Sequence, residues 1–209
     1  MPITISWLGH DSFRLLGAGK VVYIDPYKLW EAGHDADLIL VTHHHADHFD
    51  LRSIRRLSKD TTVVAGPKSV ARNAPGFVEV EPGDARELAG LKVRVLPAYN
   101  VNKFRSPGRP FHPRGMGVGY LVHLEGETIY HSGDSDLIPE MEGLQPDVAL
   151  LPVSGRWVMT AEEAAEAVAA IKPKRAIPMH YGAIVGSLAD AQRFARLAGD
   201  GVVILSKAN

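Results

Sequence analysis

The order of the apolar segments along this chain constrains its fold more tightly than any other feature. Short β-rich runs occur at Ile3 to Trp7, Phe13 to Leu16 and Val21 to Asp25, the last two joined through Gly17-Ala18-Gly19. Leu38 to Thr42 is a continuous apolar run, as expected of a strand buried on both faces; a helical stretch near Leu51 to Leu57 and a strand at Thr62 to Ala65 follow it. The second half returns to this order with Gly119 to Glu125, Thr128 to His131, the buried run Val148 to Val153, a helix from Ala161 to Ile171 and a strand Ala176 to Met179. Gly19-Lys20-Val21-Val22-Tyr23 also matches Gly126-Glu127-Thr128-Ile129-Tyr130, and Asp37-Leu38-Ile39-Leu40-Val41 matches Asp147-Val148-Ala149-Leu150-Leu151. This reads as a faint internal duplication. Two similar halves, each laying a sheet under helices, predict an α/β fold: a four-layer αβ/βα sandwich with the sheets face to face and the helices outside. Ligands would then gather at strand ends.

Thr160 can cap the helix from Ala161 to Ile171, with Glu163 completing a capping box, and Lys172-Pro173 ends it. Leu188 to Ala198 has helical spacing, and Val202 to Leu205 is expected to close the chain as a strand. A length of 209 residues suits one catalytic domain, 1–209, with room for long loops around a cleft. The net charge of -1 gives no whole-molecule attraction to nucleic acid or a membrane. There is no cysteine, so metal ligands must be histidine and carboxylate rather than thiolate. Met1 to Phe13 lacks a basic segment followed by an apolar stretch, and no run approaches the roughly 18 apolar residues of a membrane span. The expectation is a soluble, cytoplasmic protein, with homo-oligomer formation left open.

The buried run Leu38 to Thr42 leads directly into His43-His44-His45-Ala46-Asp47-His48. In extended backbone His43 and His45 project to one side and can grip one ion, while Asp47 and His48 face a second position. His44 points the other way and reads as a surface residue or a support. Imidazole and carboxylate suit zinc, iron or manganese.

The pattern His-x-His-x-Asp-His after a buried strand resembles the signature of the metallo-β-lactamase superfamily. The segments Trp7-Leu8-Gly9-His10-Asp11-Ser12, Ile24-Asp25-Pro26, Tyr130-His131-Ser132-Gly133-Asp134 and Pro178-Met179-His180-Tyr181-Gly182 are similar to those of its small ascorbate-6-phosphate-lactonase-like hydrolases. The resemblance implies two divalent ions, Zn2+ foremost with Mn2+ or Fe as alternatives. It implies that Asp134 bridges them and that His180 joins Asp47 and His48 at the second. Both residues follow strands, like the histidine loop. A third histidine is expected for the first ion, and two positions compete. Ala98-Tyr99-Asn100 carries Asn where relatives have histidine, so His112, in the long loop Asn100 to Met116, is preferred.

Two such cations lower the pKa of a shared water and polarise the scissile group, with Asp47 and Asp134 as the catalytic carboxylates. Supporting roles fall to His10, His131 and Asp25, whereas His34 and His123 read as ordinary polar positions. The leaving group would take its proton from water, His10 or Tyr181. No acidic residue occurs between Glu87 and Glu125, and the Asn100 to Met116 loop holds Lys103, Arg105, Arg109 and Arg114. Arg105 and Arg109, with Asn100, His10 and Tyr181, are therefore the candidate contacts to a small anionic substrate. Arg52, Arg55 and Arg56 suit an exposed helix face. The leading expectation is a hydrolase of an ester, lactone or phosphodiester bond. A nuclease and a non-catalytic metal-binding or redox module are the alternatives, the first disfavoured by the near-zero charge.

Overall fold

The computed structural model describes residues 3–30, 33–74 and 76–208. In chain order the elements are β1 (Thr4–Gly9), β2 (Ser12–Gly17), β3 (Lys20–Ile24), β4 (Ala36–Leu40), α1 (Leu51–Leu57), β5 (Ser58–Pro67), α2 (Lys68–Ala71), β6 (Val78–Val80), β7 (Ala85–Leu88), β8 (Leu91–Ala98), β9 (Phe104–Ser106), β10 (Arg109–Pro110), β11 (Gly117–Leu124), β12 (Glu127–His131), β13 (Val148–Pro152), α3 (Ala161–Ile171), β14 (Arg175–Met179) and α4 (Leu188–Ala198). One six-stranded sheet runs β1-β2-β3-β4-β5-β6 and the other β14-β13-β12-β11-β8-β7.

Alternation along β4 assigns the layers. Leu38 and Leu40 join the main core with Phe13, Leu15, Val93, Val95, Val118 and Tyr120, so the two sheets pack face to face. Ile39 and Val41 point the other way, onto Ile54 and Leu57 of α1 and Val70 of α2. On the far side α3 packs against β13 and α4 against β14. The result is the mixed α/β sandwich expected from the sequence. The capping box of Thr160 and Glu163 is present, and Lys172 ends α3 in the left-handed region.

The two halves repeat down to register. The antiparallel hairpins β2/β3 and β11/β12 close at Gly17↔Lys20 and Leu124↔Glu127, and each is followed by a parallel partner, Val22↔Leu38 in one half and Ile129↔Val148 in the other. A carboxylate clamps each unit at the same place. Asp37 accepts from the Val21 N–H at 2.8 Å and from Lys59 Nζ at 2.8 Å; Asp147 accepts from the Thr128 N–H at 2.7 Å and from Lys174 Nζ at 2.6 Å. In both units the carboxylate ties the start of one strand to the lead-in of its parallel neighbours.

The structure differs from the sequence expectation in three places. Val202 to Leu205 is not a strand: Val202 makes a single bridge to Ala176, and the chain then turns to pair Ala208 N–H with the Trp7 carbonyl at 2.8 Å. The long loop Asn100 to Met116 is not structureless, since β9 and β10 form a hairpin within it. Strands β6, β7 and β8 also complete the sheets where the sequence reading had placed none.

Candidate metal centre

The histidine loop leaves the end of β4 between the two sheets and meets loops that follow β1, β8, β12 and β14. Imidazole nitrogens of His43, His45 and His112 lie mutually within 4.8 Å, and so do ligand atoms of His10, Asp11, His48 and His180. Asp134 stands between the groups. Its Oδ2 is 3.2 Å from His112 Nε2, 3.4 Å from His180 Nε2 and 3.9 Å from His43 Nε2, while Oδ1 is 3.4 Å from His48 Nε2. Asp47 completes the floor, with Oδ2 at 3.9 Å from His48 Nε2.

Hydrogen bonds behind the imidazoles decide which nitrogen faces inward. Asp25 accepts from the Thr42 N–H at 2.7 Å, the Thr42 hydroxyl at 2.6 Å and His48 Nδ1 at 2.7 Å. A carboxylate only accepts, so His48 carries a hydrogen on Nδ1 and aims Nε2 into the site. The Thr42 hydroxyl has given its hydrogen to Asp25, so His43 Nδ1, 3.1 Å away, donates to it and likewise turns Nε2 inward. His112 is fixed by Asn100. The Asn100 amide nitrogen faces the Trp157 carbonyl at 2.8 Å and Asp136 at 3.1 Å, which leaves Oδ1 to accept from the His112 backbone N–H at 2.8 Å and ring Nδ1 at 3.0 Å. Nε2 of His112 is then free toward Asp134. His180 Nδ1 contacts the Ser154 hydroxyl at 2.8 Å.

Burial leaves these inward atoms without partners: His48 Nε2, His180 Nε2, Asp134 Oδ1 and both Asp11 oxygens are buried and unbonded. Orphaned buried polar atoms of this kind are costly, and a cation that takes the place of the imidazole protons is the group that would satisfy them together. The donor set, imidazole and carboxylate without sulfur, fits a first-row divalent ion.

The charges divide the site. Burial, reinforced by His48, drives His43 well below its ordinary value, and burial with the neighbouring His112 takes His45 to about 4, so these rings are neutral. Burial is the largest single influence on His48 and His180 and opposes their charge, yet the surrounding carboxylates together exceed it, Asp134 foremost, then Asp25 at the first and Asp11 at the second; His48 is raised well above its usual value and His180 to about 9. Burial tends to raise Asp47, but the hydrogen bond from His10 and the charge of His48 bring it to about 2.

The backbone here is unusual. His10, Asp25 and His180 take φ of 54°, 46° and 59°, left-handed values uncommon outside glycine. Gly133, at φ 62°, precedes Asp134 where an added Cβ would lie 2.7 Å from the Val118 carbonyl, so only glycine lets this turn approach β11.

A cleft of about 460 Å³ opens over the centre, lined by Tyr27, Asp47, Arg105, Phe111, Trp157 and Ile184 among others. The residues singled out in the sequence are distributed unevenly around it. Of the four loop cations, Lys103 is paired with Glu163 and Asp136, and Arg114 with Glu140. Arg105 lines the cleft with its guanidinium 5.2 Å from the centre of the Phe111 ring, whereas Arg109 lies exposed on the hairpin away from the lining. Asn100 is buried behind His112, His10 is buried behind Asp47 at 3.2 Å, and Tyr181 is stacked on Trp7 at 4.7 Å. None of these three is among the residues that line the cleft. His44 and His123 are exposed, and His131 supports the turn of Asp11 and Gly133 through its ring nitrogens.

Two residues escaped the sequence reading. Tyr27 lines the cleft, and nothing in a loop tyrosine announces it. Asp11 is fully buried, and because a turn between two strands is an ordinary place for aspartate, its position in the sequence did not set it apart.

Two facing αβ layers gather histidine and aspartate at their strand ends as a donor set for metal ions. The chain belongs to the beta-lactamase superfamily, whose domain model matches residues 4–180. It is 35% identical over 215 residues to a UPF0173 metal-dependent hydrolase of Thermoplasma acidophilum, covering 94% of this chain and 91% of that one. A solved structure from Parabacteroides distasonis superposes with a TM-score of 0.83 at 29% identity, over 98% of this chain and 94% of the other. A metallo hydrolase of Ignicoccus hospitalis gives a TM-score of 0.77 at 26% identity, over 99% and 96%. No helix among the described residues is long and apolar enough to cross a membrane.

Proposed function

We propose that this protein uses two divalent ions to hydrolyse an ester, lactone or phosphodiester bond of a small anionic substrate that also carries an apolar portion. His43, His45 and His112 would hold one ion, Asp47, His48 and His180 the other, with Asp134 between them; Zn2+ is the leading candidate and Mn2+ or Fe the alternatives. The observation that carries this reading is Asp134, whose two oxygens lie 3.2 to 3.9 Å from imidazoles of both groups. Bound at these donors, the cations would bring a shared water toward ionisation at neutral pH and polarise the scissile group.

The chain's own residues supply the rest. Asp47 reaches the cleft while His10 holds its Oδ2, so it can orient the attacking water, whose proton passes to solvent. Arg105, with no ion-pair partner among the described residues, offers its fork to the substrate anion. Phe111, Trp157, Tyr27 and Ile184 cover the apolar portion and exclude water. With His10 and Tyr181 away from the lining, the leaving group takes its proton from solvent or from Tyr27. A nuclease is disfavoured because the net charge is -1 and because Lys103 and Arg114, two of the four loop cations, are already paired with carboxylates.

The test is metal analysis of the reconstituted protein followed by matched anionic and neutral esters, lactones and phosphodiesters. Two ions per chain and chelator-sensitive turnover that favours the anionic member are expected. Fewer than two ions per chain, or equal turnover of both members, counts against the reading.

A further inference from the structure

The two proposed ion positions are not chemically alike. The first draws on three imidazoles, His43, His45 and His112, plus Asp134. Around the second stand His48 and His180 with three carboxylates, Asp47, Asp134 and Asp11. Asp11 is the unassigned member. It lies in the turn between β1 and β2, is fully buried, and neither of its carboxylate oxygens has a hydrogen-bond partner.

Its position is that of a ligand. Asp11 Oδ2 is 3.6 Å from His48 Nε2 and 3.9 Å from His180 Nε2, both themselves buried and unpartnered. Donors that share a cation at about 2.1 Å stand about 3.0 to 3.5 Å apart, so a small inward adjustment completes such a shell. The turn is held from behind, because His131 Nδ1 accepts from the Gly133 N–H at 3.1 Å and its Nε2 therefore donates to the Asp11 carbonyl at 3.0 Å. His10 is not a competing ligand. Its Nε2 is engaged by Asp47 Oδ2 at 3.2 Å and lies 3.3 Å from Asp11 Oδ2 without a hydrogen bond to it.

We infer that Asp11 ligates the second ion, giving that position two imidazoles and three carboxylates and making it the harder, oxygen-preferring site of an unequal pair. The inference rests on the two-ion reading above. Carboxylate-rich, higher-coordinate sites suit Mn2+, whereas an imidazole triad suits Zn2+, so the ratio of Mn2+ to Zn2+ affinity is larger at the second position than at the first.

The experiment uses the full chain, stripped by chelation and reloaded with Mn2+ alone. Wild type is expected to bind one Mn2+ about tenfold more tightly than the other, read from the electron paramagnetic resonance of free Mn2+. Asp11→Asn, close in shape but uncharged, should weaken the tight ion about tenfold or more and leave the weaker one unchanged. In crystals of Mn2+-loaded wild type, anomalous scattering should place an ion about 2 Å from an Asp11 oxygen, a readout that needs no variant to fold. Ions that avoid Asp11, or wild-type Mn2+ affinities in Asp11→Asn, overturn the assignment while the two-ion reading stands. Fewer than two ions in wild type overturns the two-ion reading instead, and the position of the remaining ion still decides Asp11.

Discussion

The amide oxygen of Asn100 accepts two hydrogen bonds from one residue, the backbone N–H and the ring Nδ1–H of His112. The two positions that compete in the sequence for one role are thus joined in the structure, with His112 facing the site and Asn100 fixing its tautomer. Asn100→Ala should therefore weaken the ion at the first position by about 10- to 100-fold, as disturbing a ligand's outer partner does, and His112→Ala should weaken it further. Metal titration of the two variants gives the ranking. Unchanged affinity in Asn100→Ala would remove the orienting role.

Asp134 is within 4 Å of imidazoles belonging to both groups. Asp134→Ala should consequently lower the affinity for both ions, each by more than about 100-fold, beyond what losing an outer partner costs. Metal content after dialysis checks this. Retention of either ion at wild-type affinity would confine Asp134 to the other position.

Arg105 is the loop cation that faces the cleft, and Arg109 serves as its control. Arg105→Ala should raise KM for an anionic substrate about tenfold, the worth of one charge-assisted contact, with kcat less affected. Arg109→Ala should change KM less than about twofold, and added salt should mimic only the first variant. Equal losses on a neutral analogue would make Arg105 structural.

Asp147 is held at about 2, first by the hydrogen bond from Lys174 and then by the Thr128 N–H. Its folded value lies below the ordinary carboxylate value of about 3.9, so its stabilising contribution is complete above about pH 4 and disappears as pH falls toward 2. Asp147→Asn should lower the Tm of the metal-free protein by a few degrees at pH 7, with the gap to wild type narrowing between pH 4 and 2. Calorimetry across that range measures it; a gap independent of pH would mean that the carboxylate charge is irrelevant there.

Much of the sandwich was legible because its period and punctuation are local. The continuous apolar run from Leu38 marked β4, and the Thr160 capping box fixed the start of α3. The histidine loop was legible for the same reason, since parity places His43 and His45 on one side of an extended chain. What the sequence hid depends on distant partners. Nothing near Arg114 or Lys103 shows that Glu140 and Glu163 will neutralise them, so four cations in one loop resembled one basic lid. Tyr181 beside His180 suggested a role in the cleft until its ring was found stacked on Trp7, across the molecule in sequence. Val202 to Leu205 had strand composition but only one bridge to hold it.

The left-handed backbone at His10, Asp25 and His180 has an evolutionary consequence. Non-glycine residues held there cost roughly 1 kcal/mol or more each, a debt carried by the finished fold whether or not an ion is present. Glycine at these positions would relieve it, while deleting a side chain from the cage or its support. Selection for heat resistance alone would therefore erode this site first, and persistence of the three side chains in a lineage would record that turnover, not durability, is what its ancestors were selected for.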